Sequence, residues 1–381
     1  MADTQAAPDA VPAARRGGRA RPWIVRLLIG LATLLAIIAT FGAWADRQLL
    51  DTDNWVATTD KLIADENIRN ALAAFVANDI VDTPTAREKI EQALPTQAAP
   101  LAAPIAGAVG DLAERATRRL LATSQVQKLW SEANRLTHTQ FVKAVNGEKP
   151  YTDQGVILDL RPLEGTIGEK LGVADAATRV GDNGRVVIIK PNQLESLQAG
   201  VHLFKILRWV TAALALLLFV AAVYLAPDRR RTLLNCGLAV IVAGLFILVL
   251  RRVLGDVIIQ AVTSGNSSAP AANDVWHIGT SMLRDIAASG VVLGVIVAFG
   301  AWLAGAGRWA TATRRFVAPV LRDQPAIAGC IVGIVVLILL LAGVLPGSDR
   351  IIPVLIYVVL VVAGMVVLRR QVTREFPRAH L

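Results

Sequence analysis

Five apolar runs crowd the second half of this chain, at residues 203–225, 233–250, 283–304, 326–345 and 351–368, and a sixth at 27–45 stands alone. A hydrocarbon core about 30 Å thick needs roughly 20 helical residues to cross. Lipid offers no partner to an unpaired backbone group, so segments of this kind cross it as helices. The pattern predicts a membrane α-helical fold with six transmembrane helices. Residues 46–202 are then looped out between the first span and the second as a water-exposed domain.

The charge distribution fits that division. A formal net charge of +9 invites a nucleic-acid reading, but residues 46–202 hold 17 Lys+Arg against 21 Asp+Glu. The excess of basic residues therefore lies beside the apolar runs, where arginine fixes membrane orientation, and no nucleic-acid partner is expected. With both termini in the cytoplasm, sixteen arginines flank the inner ends: Arg15, Arg16, Arg19, Arg21, Arg26, Arg229, Arg230, Arg231, Arg308, Arg314, Arg315, Arg322, Arg369, Arg370, Arg374 and Arg378. Only six basic residues flank the outer ends: Lys205, Arg208, Arg251, Arg252, Arg284 and Arg350. The positive-inside rule places residues 46–202 outside the cytoplasm of a plasma-membrane protein.

The map that follows has a disordered cytoplasmic tail at 1–21 and a first transmembrane segment at 22–45. An extracytoplasmic domain at 46–202, a five-helix membrane domain at 203–368 and a second cytoplasmic tail at 369–381 complete it. Ala43-Trp44-Ala45 fits a small-x-small cleavage site, so the first segment reads either as an anchor or as a signal peptide. The anchor is favoured, because its apolar part exceeds a usual signal core.

The looped-out domain is α-rich. Thr52 or Asp53 caps a short helix carrying Trp55, Leu62 and Ile63, and Asp65 caps the next. There Ile68, Leu72, Phe75, Val76 and Ile80 mark a stripe expected to be buried. A short helix is read at 87–94. Ile105, Val109, Leu112, Ala116 and Leu120 recur at helical spacing. Ser124 opens a further helix through Trp130 and Phe141, closed by Asn146-Gly147. Val156-Ile157-Leu158 and Val186 to Ile189 read as a small β element with a helix near 163–171 between the strands. A last helix from about Gln193 runs into the second span.

Two spans exceed what a bilayer needs. The third continues past Arg251 and Arg252 towards Val262, and the fourth begins near Asn273 or Asp274. The pair reads as an antiparallel stalk packed on the domain, with 263–272 as its tip, or as helix ends lying flat on lipid.

Chemical motifs are sparse. Both cysteines, Cys236 and Cys330, fall in apolar runs, which leaves the domain without a disulfide framework. His138, His202, His277 and His380 show no paired spacing, so no metal site is expected, and no nucleotide or hydrolase motif points to a cofactor or an active site. Asp51-Thr52-Asp53-Asn54 begins like a calcium loop but lacks its glycine and glutamate, and helix capping accounts for it. Arg208, Arg251, Arg252, Asp256, Arg284 and Asp285 share one level near the outer helix ends and form a candidate polar ring. It reads first as structural and second as a substrate site. Gly290/Gly294 and Gly329/Gly333 each place two glycines on one helix face; packing within the chain is expected before a homo-oligomer.

Leu50-Asp51-Thr52-Asp53 with Trp55-Val56, the stretch Trp302-Leu303-Ala304-Gly305-Ala306-Gly307-Arg308-Trp309-Ala310, and Arg369-Arg370-Gln371 with Glu375-Phe376-Pro377 carry a resemblance. The chain resembles a group of uncharacterised actinobacterial multi-pass integral membrane proteins with a large extracytoplasmic segment after the first span. That resemblance implies the topology above and no chemistry. The expected function is non-enzymatic: a cell-envelope scaffold, sensor or accessory subunit whose outer domain binds a protein, lipid or cell-wall component. The alternative is a transporter or lipid-handling permease.

Overall fold

A computed structural model describes residues 21–81, 102–148, 156–159, 185–189, 191–263, 268–323, 333–334 and 351–375. These are almost entirely helical. The helices are α1 (Arg21–Leu49), α2 (Thr52–Ala64), α3 (Glu66–Val81), α4 (Ala102–Leu121), α5 (Ser124–Val145), α6 (Pro191–Leu225), α7 (Arg229–Thr263), α8 (Ala269–Gly279), α9 (Ser281–Leu303), α10 (Arg308–Asp323) and α11 (Ile351–Glu375). Strands β1 (Val156–Asp159) and β2 (Arg185–Ile189) pair antiparallel, with an irregularity between Val156 and Ile157. The span read at 326–345 apart from residues 333–334, the helices read at 87–94 and 163–171, and residues 264–267 of the 263–272 tip lie outside the described residues.

Among the described residues, four helices are long and apolar enough to cross a membrane: Pro22–Leu49, Leu194–Leu225, Arg229–Thr263 and Ser281–Leu303. Their large apolar side chains point mostly outward, Leu27, Leu203, Leu216, Val242 and Phe299 among them. Water would not stabilise such a surface, whereas hydrocarbon would.

The chain divides into two compact units. One comprises Met1–Ile37, Thr211–Gly244 and Ser289–Leu381, and the other Ile38–Val210 with Leu245–Ala288. In the first, Val25, Ile29, Ala222, Ala226 and Cys236 form a core with Leu28, Phe219, Val223 and Ala239 packed around it. Helices α7 and α9 cross closely there. A Cβ on Gly237 would lie 2.7 Å from the Ala298 backbone nitrogen, and one on Gly294 would lie 2.7 Å from the Gly237 carbonyl oxygen. Of the four motif glycines, Gly294 is thus engaged within the chain. Gly290 and Gly333 face open space, and Gly329 lies outside the described residues.

The Trp302 to Ala310 stretch gains a physical reason in the same unit. The Arg314 Nη1 donates to the carbonyl oxygens of Leu303 and Gly305, closing the end of α9, where carbonyls lack intrahelical partners. Gly305 has no side chain because the Arg230 guanidinium occupies that place.

In the second unit, α2 packs on α5 and α3 on α4. Asp51, rather than Thr52 or Asp53, accepts from the Asn54 amide, while Asp65 accepts from the Ile68 amide as expected. Thr123 caps α5 instead of Ser124, because its hydroxyl receives the Val126 amide. Gly147, with φ of +80°, ends that helix. Trp130 Nε1 donates to the Thr59 carbonyl at 3.1 Å and Ser131 Oγ to Asp60 Oδ2 at 3.1 Å, joining α5 to α2.

The stripe expected to be buried on α3 is only partly so. Ile68 is buried, but Leu72 and Val76 are exposed and Phe75 is 69% exposed. Helix α3 buries Ala73 and Ala77, and α4, which packs on it, buries Ala106. Small residues bring two helix backbones close together, which leaves the larger side chains at the margins of the contact.

Candidate functional site

The six residues of the candidate ring do not form one network. Arg208 Nη1 pairs with Asp46 Oδ2, both side chains being 18% exposed. The alkyl stem of Arg208 packs at Gly42, where a Cβ would lie 3.5 Å from its Cγ. Its guanidinium lies over the Trp209 ring, 4.7 Å from the centroid. Asp46, the first acid after the first apolar run, is not one of the six candidate ring residues. Its partner is 162 residues away, so sequence spacing gives no signal.

Arg251 belongs to a second cluster. Its Nε donates to Thr280 Oγ1 at 2.7 Å, and its Nη2 lies 3.2 Å from His277 Nδ1. Arg284 and Asp285, linked by a 3.2 Å contact, lie within electrostatic reach of Arg251. Arg252 and Asp256 are exposed on α7. The structure therefore brings Arg251, Arg284 and Asp285 together and gives Arg208 a different partner.

Thr280 also lines a cleft of about 490 Å³, walled by Trp44 of α1, Ile258 and Val262 of α7, and Val275 and Trp276 of α8. Its lining is nearly all apolar. The Trp276 indole is seated on Gly255, where a Cβ would come within 2.4 Å of its Nε1. The stretch read as a stalk is in contact with the domain: α8 packs on α2 and α3, and Asn67 Nδ2 donates to Asp274 Oδ2 at 2.8 Å. A break at Thr280 separates α8 from α9, so the fourth apolar helix begins at Ser281 and the expected start near Asn273 falls in a helix of its own.

His138 joins the end of α1 to the domain. It is 5% exposed, stacks on Trp55 at 4.9 Å, and places Nε2 3.2 Å from the Leu49 carbonyl oxygen and Nδ1 3.1 Å from Thr52 Oγ1. A carbonyl only accepts, so Nε2 carries the hydrogen and neutral Nδ1 receives the Thr52 hydroxyl. Burial lowers its pKa, opposed by the Leu49 hydrogen bond and by the Asp51 charge. Gln198 to the Ala144 carbonyl at 2.7 Å and Lys205 to Asn146 at 2.6 Å tie α6 to the end of α5.

The domain also presents an apolar face. Along α4, Ile105, Val109 and Leu120 are exposed and Leu112 is 69% exposed, and Leu72 and Phe75 of α3 are exposed too. Among the described residues, no group of three His, Cys, Asp or Glu side chains gathers as a metal set. Comparison with protein-family models, curated proteins and solved structures finds no match to this chain.

Proposed function

We propose that this chain is a non-enzymatic integral protein of the cell envelope, acting as a scaffold, sensor or accessory subunit through the domain at 46–202. The observation that carries this reading is the exposed apolar face of α4, with Leu112 at its middle. Large exposed apolar residues repeated along one helix are the usual mark of an interaction surface. The domain is bonded to the ends of α1 and α6, so occupation of that face would be felt by helices that enter the membrane.

The proposed architecture has six spans: the four apolar helices, the run at 326–345 and the run at 351–368. The β1–β2 pair belongs to the looped-out domain. The arginine distribution supports cytoplasmic termini and an extracytoplasmic domain in the plasma membrane, and the resemblance to the actinobacterial group supports the same topology. Photocrosslinking in intact membranes tests the docking reading. A photoreactive residue at Leu112 or Phe75 is expected to capture one discrete envelope protein, lipid or cell-wall component, whereas one at exposed Arg119 is not. Equal capture at the three positions, or none, would remove the basis for it.

A further inference from the structure

We infer that the cleft between α1, α7 and α8 holds the acyl chain of an acidic phospholipid whose phosphate is bound by Arg251. Three observations converge on this occupant. The first is shape and lining: about 490 Å³ of nearly all apolar space, within the roughly 300–1,000 Å³ usual for small-molecule sites. The two tryptophans in its wall, Trp44 and Trp276, are the side chains enriched where apolar and polar surroundings meet in a membrane.

The second is charge. Thr280 lines the cleft and receives Arg251 Nε, so the guanidinium is one hydrogen bond away from a lining side chain. Arg252 flanks it on α7, and Arg284 lies within its electrostatic reach on α9. Asp285 and Asp256 offset two of these three charges, leaving a net positive end. Basic groups between membrane helices bind anionic head groups, and a neutral apolar ligand would have no use for them.

The third is preorganisation. Arg251 spends Nε on Thr280 and Nη2 on His277, which fixes the plane of the guanidinium. Among the described residues its Nη1 donors take no protein partner, which leaves them for a phosphate oxygen. Gly255 lets the Trp276 indole lie against α7, and a methyl group there would displace that wall.

Native mass spectrometry of the full chain, released from mixed micelles holding equal phosphatidylglycerol and phosphatidylcholine, provides the test. The wild-type chain is expected to retain phosphatidylglycerol in roughly fivefold preference, the discrimination one well-placed arginine supplies. Arg251→Gln should abolish that preference, and Arg251→Lys should keep part of it. A Cβ at Gly279, another lining residue, meets nothing within 4 Å. Gly279→Leu therefore fills the cleft without disturbing the backbone and should lower retention of both lipids. Equal retention of the two lipids by the wild type would overturn the inference. So would unchanged retention in Arg251→Gln and Gly279→Leu, or a lipid-free species of two chains that Gly279→Leu converts to one.

Discussion

His138 illustrates how much one side chain decides in a protein of this kind. Its ring closes the carbonyl end of α1, stacks on Trp55 and takes the Thr52 hydroxyl. Burial favours the neutral form and holds the pKa below the ordinary 6.5. The unfolded chain therefore takes up a proton first as pH falls through about 6.5. The contribution of His138 to stability is complete above that pH and is lost on acidification. Melting of the purified chain should fall between about pH 7.5 and pH 5.5, the range in which a histidine titrates. His138→Gln should flatten that dependence while costing about 1 kcal/mol at the higher pH. Equal pH slopes in the two proteins would count against this role. Asp46 makes a parallel case. Asp46→Asn leaves Arg208 short of a carboxylate in a mostly buried position, and a loss of about 2 kcal/mol is expected, read as a lower melting temperature.

Between elements, the informative contacts are those made by residues without bulk. Gly237 and Gly294 let α7 and α9 meet backbone to backbone. Gly237→Ala forces a methyl group against the Ala298 nitrogen and the Gly294 carbonyl, neither of which can turn away. It should destabilise the chain by about 1–3 kcal/mol. Gly290→Ala, one turn from Gly294 but facing open space, should leave melting unchanged. A matched pair of melting curves separates the two, and equal losses would contradict the crossing. Gly305→Ala falls between them, because its new methyl group meets the far end of the Arg230 side chain, which can swing aside. The α3–α4 pair uses small residues in the same way. Its alanines Ala73, Ala77 and Ala106 are buried, whereas Leu72, Phe75, Leu112 and Leu120 are exposed.

For the whole molecule the decisive prediction concerns sidedness. In a chain with Cys236 and Cys330 replaced by alanine, Arg119→Cys should react with a membrane-impermeant maleimide added to intact cells. Thr313→Cys, on α10, should react only after the cells are opened. The reverse pattern would place the domain in the cytoplasm and remove the envelope reading with it. What the amino-acid sequence settled by itself is what depends on stretches of chain alone: the apolar helices of crossing length, the helical character of the domain, the cap at Asp65 and the stop at Gly147. Hydrophobic length and cap chemistry act over one or a few turns, so they are legible along the chain. Which partner Arg208 takes, that His138 reaches the end of α1, that Phe75 and Leu112 stay uncovered, and that the Arg251 guanidinium bonds a threonine lining an apolar cleft were decided only by tertiary packing. Each depends on side chains brought together by the docking of separate helices, and the distance between two residues along a sequence carries no record of that docking.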